Sequence, residues 1–528
     1  MVSNTASFGR ESLNLIKKVL DIKNKYCNQN FQDMKICTVF ISKPKFEAGH
    51  PYIGFDNENH KKTVLDRLRS RFSDLDFVDE EIVTKYDAGL MKKIKDDAKQ
   101  CDGMLVYTVG QYGDPGIVDA GVELVELNIP TVLANNPYGG DPVFLQIYDR
   151  VKGKGYKVLP VSSPDLEDVE KAVDMLRRIL LMKGKRILLY TIDEKTSLDL
   201  EGLMELVGPD IGKPYVEKMI RQVVSREGEW SIEESYIDLV GTDQAHSWRR
   251  NEELYKKNLQ EVFGVEVVRR HPDEIIEYYR KADPYEVRRI GEEWGKSAKT
   301  IHPEVSEKAI DNAARLYLAS RELMKKHGAD AISFDCGTLF LTGKIPAFPC
   351  FAFSRLMDEG YTGICEADLD SGVSALFVRY LFDKPSILTN HSLDTINNRI
   401  TYMHCFAPTG MRGIGKEPLP YEIERHGESH GMGAVPFVEF PAGETLTTIK
   451  ISMLKKKIAI RTGIIVGMVR DEKACRVKVL VESDAKKILE NYDWDAFGFH
   501  RVSFLGDHRD DVIAAAKLAG LEVCEEDR

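Results

Sequence analysis

The chain has 528 residues, of which 43% are hydrophobic and 30% are charged, and its net charge is −11 at pH 7. This length predicts two or three globular domains, and the negative charge argues against non-specific nucleic-acid binding, which needs a basic face. No apolar run reaches the roughly 18 to 20 residues of a bilayer span, and the N-terminus lacks the pattern of a signal peptide. We therefore expect a cytoplasmic protein that acts on a small molecule, with no nucleic-acid or membrane partner.

The nine cysteines are dispersed along the chain, and no two of them form a CxxC pair. This spacing supports neither a disulfide framework nor a structural zinc ribbon. A reducing compartment fits this cysteine usage best.

The first region alternates strands and helices. The apolar runs at 36–42 (ICTVFIS), 103–109 (GMLVYTV) and 131–134 (TVLA) read as strands, with helices predicted at 61–72 and 117–127. Short, continuously apolar strands separated by helices are typical of a parallel sheet that is covered on both faces. Ligands of such sheets bind at the carboxyl ends of the strands.

A second strand-and-helix region begins at RILLYT, and its last helix is predicted from Pro303 to Gly328, directly before the strand AISF. From about Phe437 the segments TLTTIKISML, KIAIRTGIIVGMVR and CRVKVLVES read as antiparallel strands of a small β-barrel. The predicted fold is α/β, with two Rossmann-like parallel-sheet domains followed by a C-terminal domain that contains the barrel. The predicted domains are 1–183, 184–350 and 351–528.

Polar side chains follow the apolar strands at several points. They are Asp335 in SFDCGT, Glu366 in GICEADLD, Asn390 and His391 in KPSILTNHSLD, His404 in MHC and His500 in FGFHRV. Carboxylate and imidazole ligands suit Mn²⁺, Co²⁺ or Mg²⁺ better than structural zinc. Each residue also has a structural interpretation, such as a helix cap for the glutamate or a packed core position for a histidine. These patterns alone indicate an α/β enzyme with a small ligand.

Three segments together resemble the L-fucose isomerase and L-arabinose isomerase superfamily: SFDCG, CEADLDSGVSALFVRYLFDKPSIL and FHRVSFLGDHRDDVIAAAKLAGLEV. The resemblance covers nearly the whole chain and implies a metal-dependent aldose–ketose isomerase that works through an enediol. It implies that Glu366 is a metal ligand and acid/base group and that Asp335 is a catalytic residue on the substrate side. It also makes His500 a ligand, and His404 falls where the arabinose branch has a further histidine ligand. Mn²⁺ is the expected ion, with Co²⁺ or Mg²⁺ as alternatives.

One position departs from the family pattern. Asn390 falls where the family has a second acidic metal ligand, and an amide can bind a metal but cannot shuttle a proton. Either a nearby group such as His391, Asp394 or Asp335 replaces it, or the reaction differs. A lyase that uses the same enediolate chemistry and a non-catalytic sugar-binding protein therefore stay open as alternatives.

Two loops complete the predicted substrate site. The loop 408–433 contains Arg412 and His430, which we predict to contact the substrate. Its basic groups suit an anionic substituent on that substrate. The alternative is that the loop is mobile and solvated and binds nothing. The loop 110–116 contains Gln111. The resemblance implies a homo-oligomer, a trimer or hexamer, in which this loop lies beside a neighbouring copy's site.

Overall fold

The structure is a computed structural model that describes residues 34–111, 115–191, 247–341, 344–427 and 433–528. Within these ranges, no helix is both long enough and apolar enough to cross a membrane. His430, which we predicted as a substrate contact, lies outside the described residues.

The described chain divides into two compact units. The first unit contains the described residues up to Leu181 together with Ile513–Glu522. The second contains the described residues from Met182 to Val512 together with Val523–Arg528. The predicted domains 1–183, 184–350 and 351–528 stay a prediction, since the second unit holds both a parallel sheet and a barrel.

A five-stranded parallel sheet forms the centre of the first unit, with the strand order β2-β1-β3-β4-β5. The strands are β1 (Met34–Ile41), β2 (Leu75–Asp79), β3 (Gly103–Thr108), β4 (Thr131–Asn135) and β5 (Val158–Ser162). The helices are α1 (Asn57–Arg71), α2 (Ala88–Ala98), α3 (Gly116–Val125), α4 (Asp141–Val151) and α5 (Leu166–Leu180). Every residue of β3 and β4 is buried, so both faces of the sheet are covered there, as their continuous apolar runs predict.

The second unit begins with a four-stranded parallel sheet in the order β7-β6-β8-β9. Its strands are β6 (Arg186–Tyr190), β7 (Glu266–Arg270), β8 (Ala331–Phe334) and β9 (Thr362–Ile364). Its helices are α6 (Glu252–Phe263), α7 (Asp273–Lys281), α8 (Pro284–Ser297), α9 (Glu307–His327), α10 (Cys336–Leu341), α11 (Cys350–Asp358) and α12 (Leu369–Phe382), with 3-10 turns at Ser247–Asn251 and Cys365–Ala367. Because β8 and β9 are parallel neighbours, Asp335 and Glu366 follow their strands at the same edge of the sheet.

Six antiparallel strands of the second unit close into a barrel in the order β14-β17-β10-β11-β16-β15, because β14 also pairs with β15. They are β10 (Ile387–Asp394), β11 (Arg399–His404), β14 (Thr445–Ser452), β15 (Lys457–Met468), β16 (Val477–Glu482) and β17 (Arg501–Leu505). The remaining elements are the separate pair β12 (Tyr421–Glu424) and β13 (Val435–Val438), the strand β18 (Glu522–Glu525) beside β15, and the helices α13 (Ala485–Glu490), α14 (Trp494–Phe497) and α15 (Arg509–Ala519). The predicted fold class, two parallel-sheet α/β regions followed by a small antiparallel barrel, is confirmed.

A fully buried ion cluster links β15 and β17 to the C-terminal segment. The Glu526 carboxylate lies 2.6 Å from Arg501 Nη2 and 3.3 Å from Arg461 Nη1, and both guanidinium groups are inaccessible to solvent. Burial alone would raise the pKa of Glu526, but the two arginines outweigh it and lower that pKa. Arg501 also donates a hydrogen bond of 2.9 Å to the carbonyl of His500. One carboxylate therefore balances two buried cations next to a candidate site residue.

We expect Glu526→Gln to destabilise the second unit by about 3–5 kcal/mol, because two buried guanidinium groups lose their counter-charge while the side-chain volume hardly changes. The free energy of unfolding is measured by urea titration followed by circular dichroism. Glu286→Gln is the matched control: it removes an exposed ion pair with Arg289 and should change stability by less than about 1 kcal/mol. Equal unfolding midpoints for the two variants would contradict the prediction.

Candidate metal centre

Glu366 lies in the 3-10 turn directly after β9, in a backbone conformation that is rare for its residue type. Its φ is 60° and its ψ is 23°, and the next residue, Ala367, has a φ of 52°. Left-handed backbone costs a non-glycine residue roughly 1–2 kcal/mol. The turn is held by Trp248, whose indole Nε1 donates a hydrogen bond of 2.9 Å to the Ala367 carbonyl. This strained turn fixes the direction of the Glu366 carboxylate.

The carboxylate of Glu366 lies between two histidines of the barrel. Its Oε1 is 3.6 Å from Nε2 of His404, the last residue of β11, and its Oε2 is 3.5 Å from Nε2 of His500, which precedes β17. One donor atom from each of the three residues lies within 4.8 Å of the other two. Donor atoms that share one divalent ion stand about 3–3.5 Å apart. The three groups therefore fit a metal ion with mixed oxygen and nitrogen ligands.

Asp368 orients His500 from behind. The Asp368 Oδ2 atom lies 2.9 Å from Nδ1 of His500, which leaves Nε2 to face Glu366. The carboxylate also pairs with the buried ammonium of Lys450 at 2.7 and 2.9 Å and accepts hydrogen bonds from the backbone and hydroxyl of Ser371. A carboxylate behind a ligand histidine fixes its tautomer and raises its basicity.

Sequence reasoning missed both Asp368 and Lys450. Lys450 was visible as the single lysine of the otherwise apolar and hydroxyl-bearing strand β14, TLTTIKIS. A buried cation in such a strand requires a buried anion, and Asp368 lies two residues beyond the predicted ligand Glu366. The two signals lie far apart in the sequence, and only the fold brings them together.

The charges around the centre keep its carboxylates ionised. Burial would raise the pKa of Glu366, but His500 and His404 outweigh it and lower that pKa to about 2. In the same way, Lys450 and His500 overcome the burial of Asp368 and hold its pKa well below the usual range. Asp370 differs, because burial dominates and raises its pKa to about 6. The two carboxylates nearest the histidines are therefore negatively charged at neutral pH.

Asp335 lies at the same sheet edge as Glu366. The turn that carries Glu366 packs against β8 and α10, the two elements that Asp335 connects. Its Oδ1 accepts a hydrogen bond of 2.8 Å from Thr338 and its Oδ2 lies 3.8 Å from Arg249. Asp335 therefore bonds to a side chain of α10 and is ion-paired with Arg249, and its catalytic and substrate-binding roles stay predictions.

Asn390 and His391 lie side by side on β10 but face different surroundings. The Asn390 amide nitrogen lies 3.6 Å from Sγ of Cys475, and its buried Oδ1 has no hydrogen-bond partner among the described residues, so its part as a metal ligand stays a prediction. His391 is buried against the rings of Tyr492 and Phe499, and burial with the nearby Arg461 lowers its pKa well below the usual value. His391 is therefore a neutral, packed side chain.

The remaining predicted substrate contacts have structural partners of their own. Asp394 organises the β10–β11 turn, accepting hydrogen bonds from the backbone N–H groups of Ile396 and Asn397. Arg412 pairs with Glu444 at 2.7 Å, and both side chains are partly exposed. Gln111 belongs to the first unit, where it forms an isolated antiparallel bridge with His50. Their substrate roles stay predictions.

No protein-family model matches the chain. No curated protein sequence matches it either. The likeness to the L-fucose and L-arabinose isomerase superfamily therefore stays a prediction from the motifs, and the chemistry of the centre rests on the geometry of its own residues.

We expect Asp368→Asn to lower the affinity for Mn²⁺ about 10- to 100-fold, because His500 loses the carboxylate that orients it while all three ligands remain. Isothermal titration of chelator-treated protein measures this, and circular dichroism checks that the variant is folded. Glu482→Gln, an exposed residue of the barrel strand β16 that pairs with Arg399, is the control and should bind as the wild type does. An Asp368→Asn protein that binds Mn²⁺ like this control would show that Asp368 does not position His500.

Proposed function

We propose that the protein is a metal-dependent aldose–ketose isomerase that acts on an open-chain sugar or sugar derivative through an enediol. The observation that carries this proposal is the placement of the Glu366 carboxylate between His404 and His500. It joins a carboxylate and two imidazole nitrogen donors at one point beside the edge of a parallel sheet, where ligands of such sheets bind.

The donor set suits a divalent ion of intermediate hardness. One carboxylate and two imidazoles, without thiolate, favour Mn²⁺, with Co²⁺ or Mg²⁺ as alternatives. When bound, such an ion polarises the carbonyl and the neighbouring hydroxyl of a sugar. The carboxylate behind His500 fits this assignment, because it orients the histidine and raises its basicity as a ligand.

The protein's own groups would then have distinct tasks. Glu366, about a third exposed at 31% of its side-chain surface, is reachable by a substrate and can take a proton from one carbon and return it to the next. Asp368 and Lys450 are fully buried, so they keep His500 fixed without meeting the substrate. Asp335 would orient the sugar from the end of β8.

The family assignment belongs to the same proposal. The order of a Rossmann-like sheet, a second parallel sheet and a small barrel supports membership of the L-fucose and L-arabinose isomerase superfamily. With it come the cytoplasmic location and the trimer or hexamer that the resemblance implies. In that assembly the 110–116 loop would serve a neighbouring copy's site.

A lyase on the same scaffold is the second candidate. The grouped ligands include a single carboxylate, and Asn390 stands where the family has a second one and contacts Cys475 instead. An isomerase must return the proton that it removes, whereas a lyase completes its reaction by expelling a leaving group. The mass of the product separates the two: an isomer keeps the substrate's mass and a lyase product does not.

We expect Glu366→Gln to lower kcat by at least about 10²-fold on the best sugar of an aldose–ketose panel, because the variant loses its acid/base group. The purified wild type should also contain a stoichiometric divalent metal by elemental analysis. The control is Glu482→Gln, an exposed residue of β16 that pairs with Arg399 and should leave kcat unchanged. Retained turnover in Glu366→Gln would overturn the assignment, and tight sugar binding by metal-free wild type would favour a binding protein.

A further inference from the structure

Two cysteines and a histidine form a second cluster, distinct from the centre around Glu366. Cys350 begins α11, Cys405 follows β11 and His426 follows β12. One donor atom from each residue lies within 4.8 Å of the other two, and all three side chains are buried. The cluster thus brings three separate elements of the second unit together through sulfur and nitrogen atoms.

One ring nitrogen of the histidine in this cluster is buried without a hydrogen bond among the described residues. His426 is 3% exposed, and its buried Nδ1 has no hydrogen-bond partner among the described residues. Its ring is stacked on Phe348 with the centroids 4.4 Å apart, so it is held in place by packing. A buried imidazole nitrogen without a partner costs about 1–3 kcal/mol, and a ligand at that position would remove the cost.

A fourth donor lies next to Cys405. The Cys475 thiol contacts the thiol of Cys405, although it lies outside the group of three donors that are within 4.8 Å of one another. Cys475 is 1% exposed. Cys475 is therefore a fourth candidate donor beside the group of three.

A buried cation stands beside this fourth thiol. Lys478 is 5% exposed, and its ammonium group donates hydrogen bonds to the backbone carbonyls of Cys475 and Asp471. Carbonyl dipoles balance a buried charge only in part. Thiolates at the cluster would supply the opposite charge, as they do when cysteines bind a metal.

We propose that Cys350, Cys405, Cys475 and His426 hold a structural Zn²⁺ ion. Three thiolates and one imidazole are a closed, tetrahedral zinc ligand set, and complete burial leaves no open position for a substrate. The donors differ in kind from those around Glu366, which contain no sulfur. The proposal does not depend on the proposed isomerase activity.

Zinc at this point would brace the candidate metal centre through the backbone. Cys405 directly follows the ligand His404, and Cys365, which contacts Cys336 and Cys350, directly precedes Glu366. A metal that ties α11 to the ends of β11 and β12 would therefore hold two ligand-bearing segments of the other centre.

The test uses the full chain, produced in medium with added Zn²⁺ and purified without chelator. We expect about one zinc per chain by elemental analysis, and X-ray absorption at the zinc edge should show sulfur neighbours at about 2.3 Å. Cys405→Ser and His426→Ala should each lose the zinc. Cys101→Ser, which changes a cysteine of the first unit, and Glu366→Gln should both retain it.

Three outcomes of the metal analysis would overturn the proposal. They are wild-type protein that takes up no zinc, zinc that has only oxygen and nitrogen neighbours, and iron or copper bound to sulfur in place of zinc. A disulfide between Cys350 and Cys405, found by mass spectrometry of the unreduced protein, would also overturn it. Because X-ray absorption is read on the wild type, the proposal stays testable even where a cysteine variant fails to fold.

Discussion

The negative charge of Asp368 lies where water does not reach it, and the arrangement of the candidate centre follows from how that charge is balanced. Lys450 brings the opposite charge from the barrel strand β14, and His500 approaches from the other side. Asp368 itself caps α12, the helix that follows the parallel sheet. Because removing one partner of a buried ion pair costs several kcal/mol, the helix start, the barrel strand and the histidine must be positioned together.

Backbone strain is concentrated beside this ion pair. Glu366 and Ala367 are consecutive left-handed residues, a conformation that persists only where the surroundings impose it. The indole of Trp248 holds the turn on one side and the cap at Asp368 holds it on the other. An unstrained turn would be enough to connect β9 to α12. The strain is explained if the Glu366 carboxylate must point in one particular direction, towards His404 and His500.

The sequence predicts the helices and strands of this structure better than the side-chain contacts between them. Continuous apolar runs are enough to identify strands such as β1, β3 and β4, whereas β2, β5 and β7 are not continuously apolar and were missed. The predicted end of α9 at Gly328 is confirmed, and this residue has a left-handed φ of 58°. The start of that helix was predicted at Pro303 but lies at Glu307, because Ser306 accepts the hydrogen bond from Ala309 and forms the cap. Glu366 was accessible to prediction as the end of a strand. The pairing of Lys450 with Asp368 was not, since it joins a barrel strand to the start of α12 and no local pattern encodes that contact.

The cysteines also show that a local sequence pattern does not reveal which distant residues lie together in the fold. A search for CxxC spacing finds metal sites whose ligands share one loop, whereas the proposed zinc ligands Cys350, Cys405, Cys475 and His426 come from four different segments. At the end of β11, His404 belongs to the group around Glu366 and Cys405 belongs to the proposed zinc site. Neighbouring residues can point to different sides in this way because side chains alternate along a strand. Oxygen and nitrogen donors favour hard or intermediate ions, and thiolates favour softer ones. Two centres built from adjacent residues can therefore remain chemically separate, because each donor set selects a different ion.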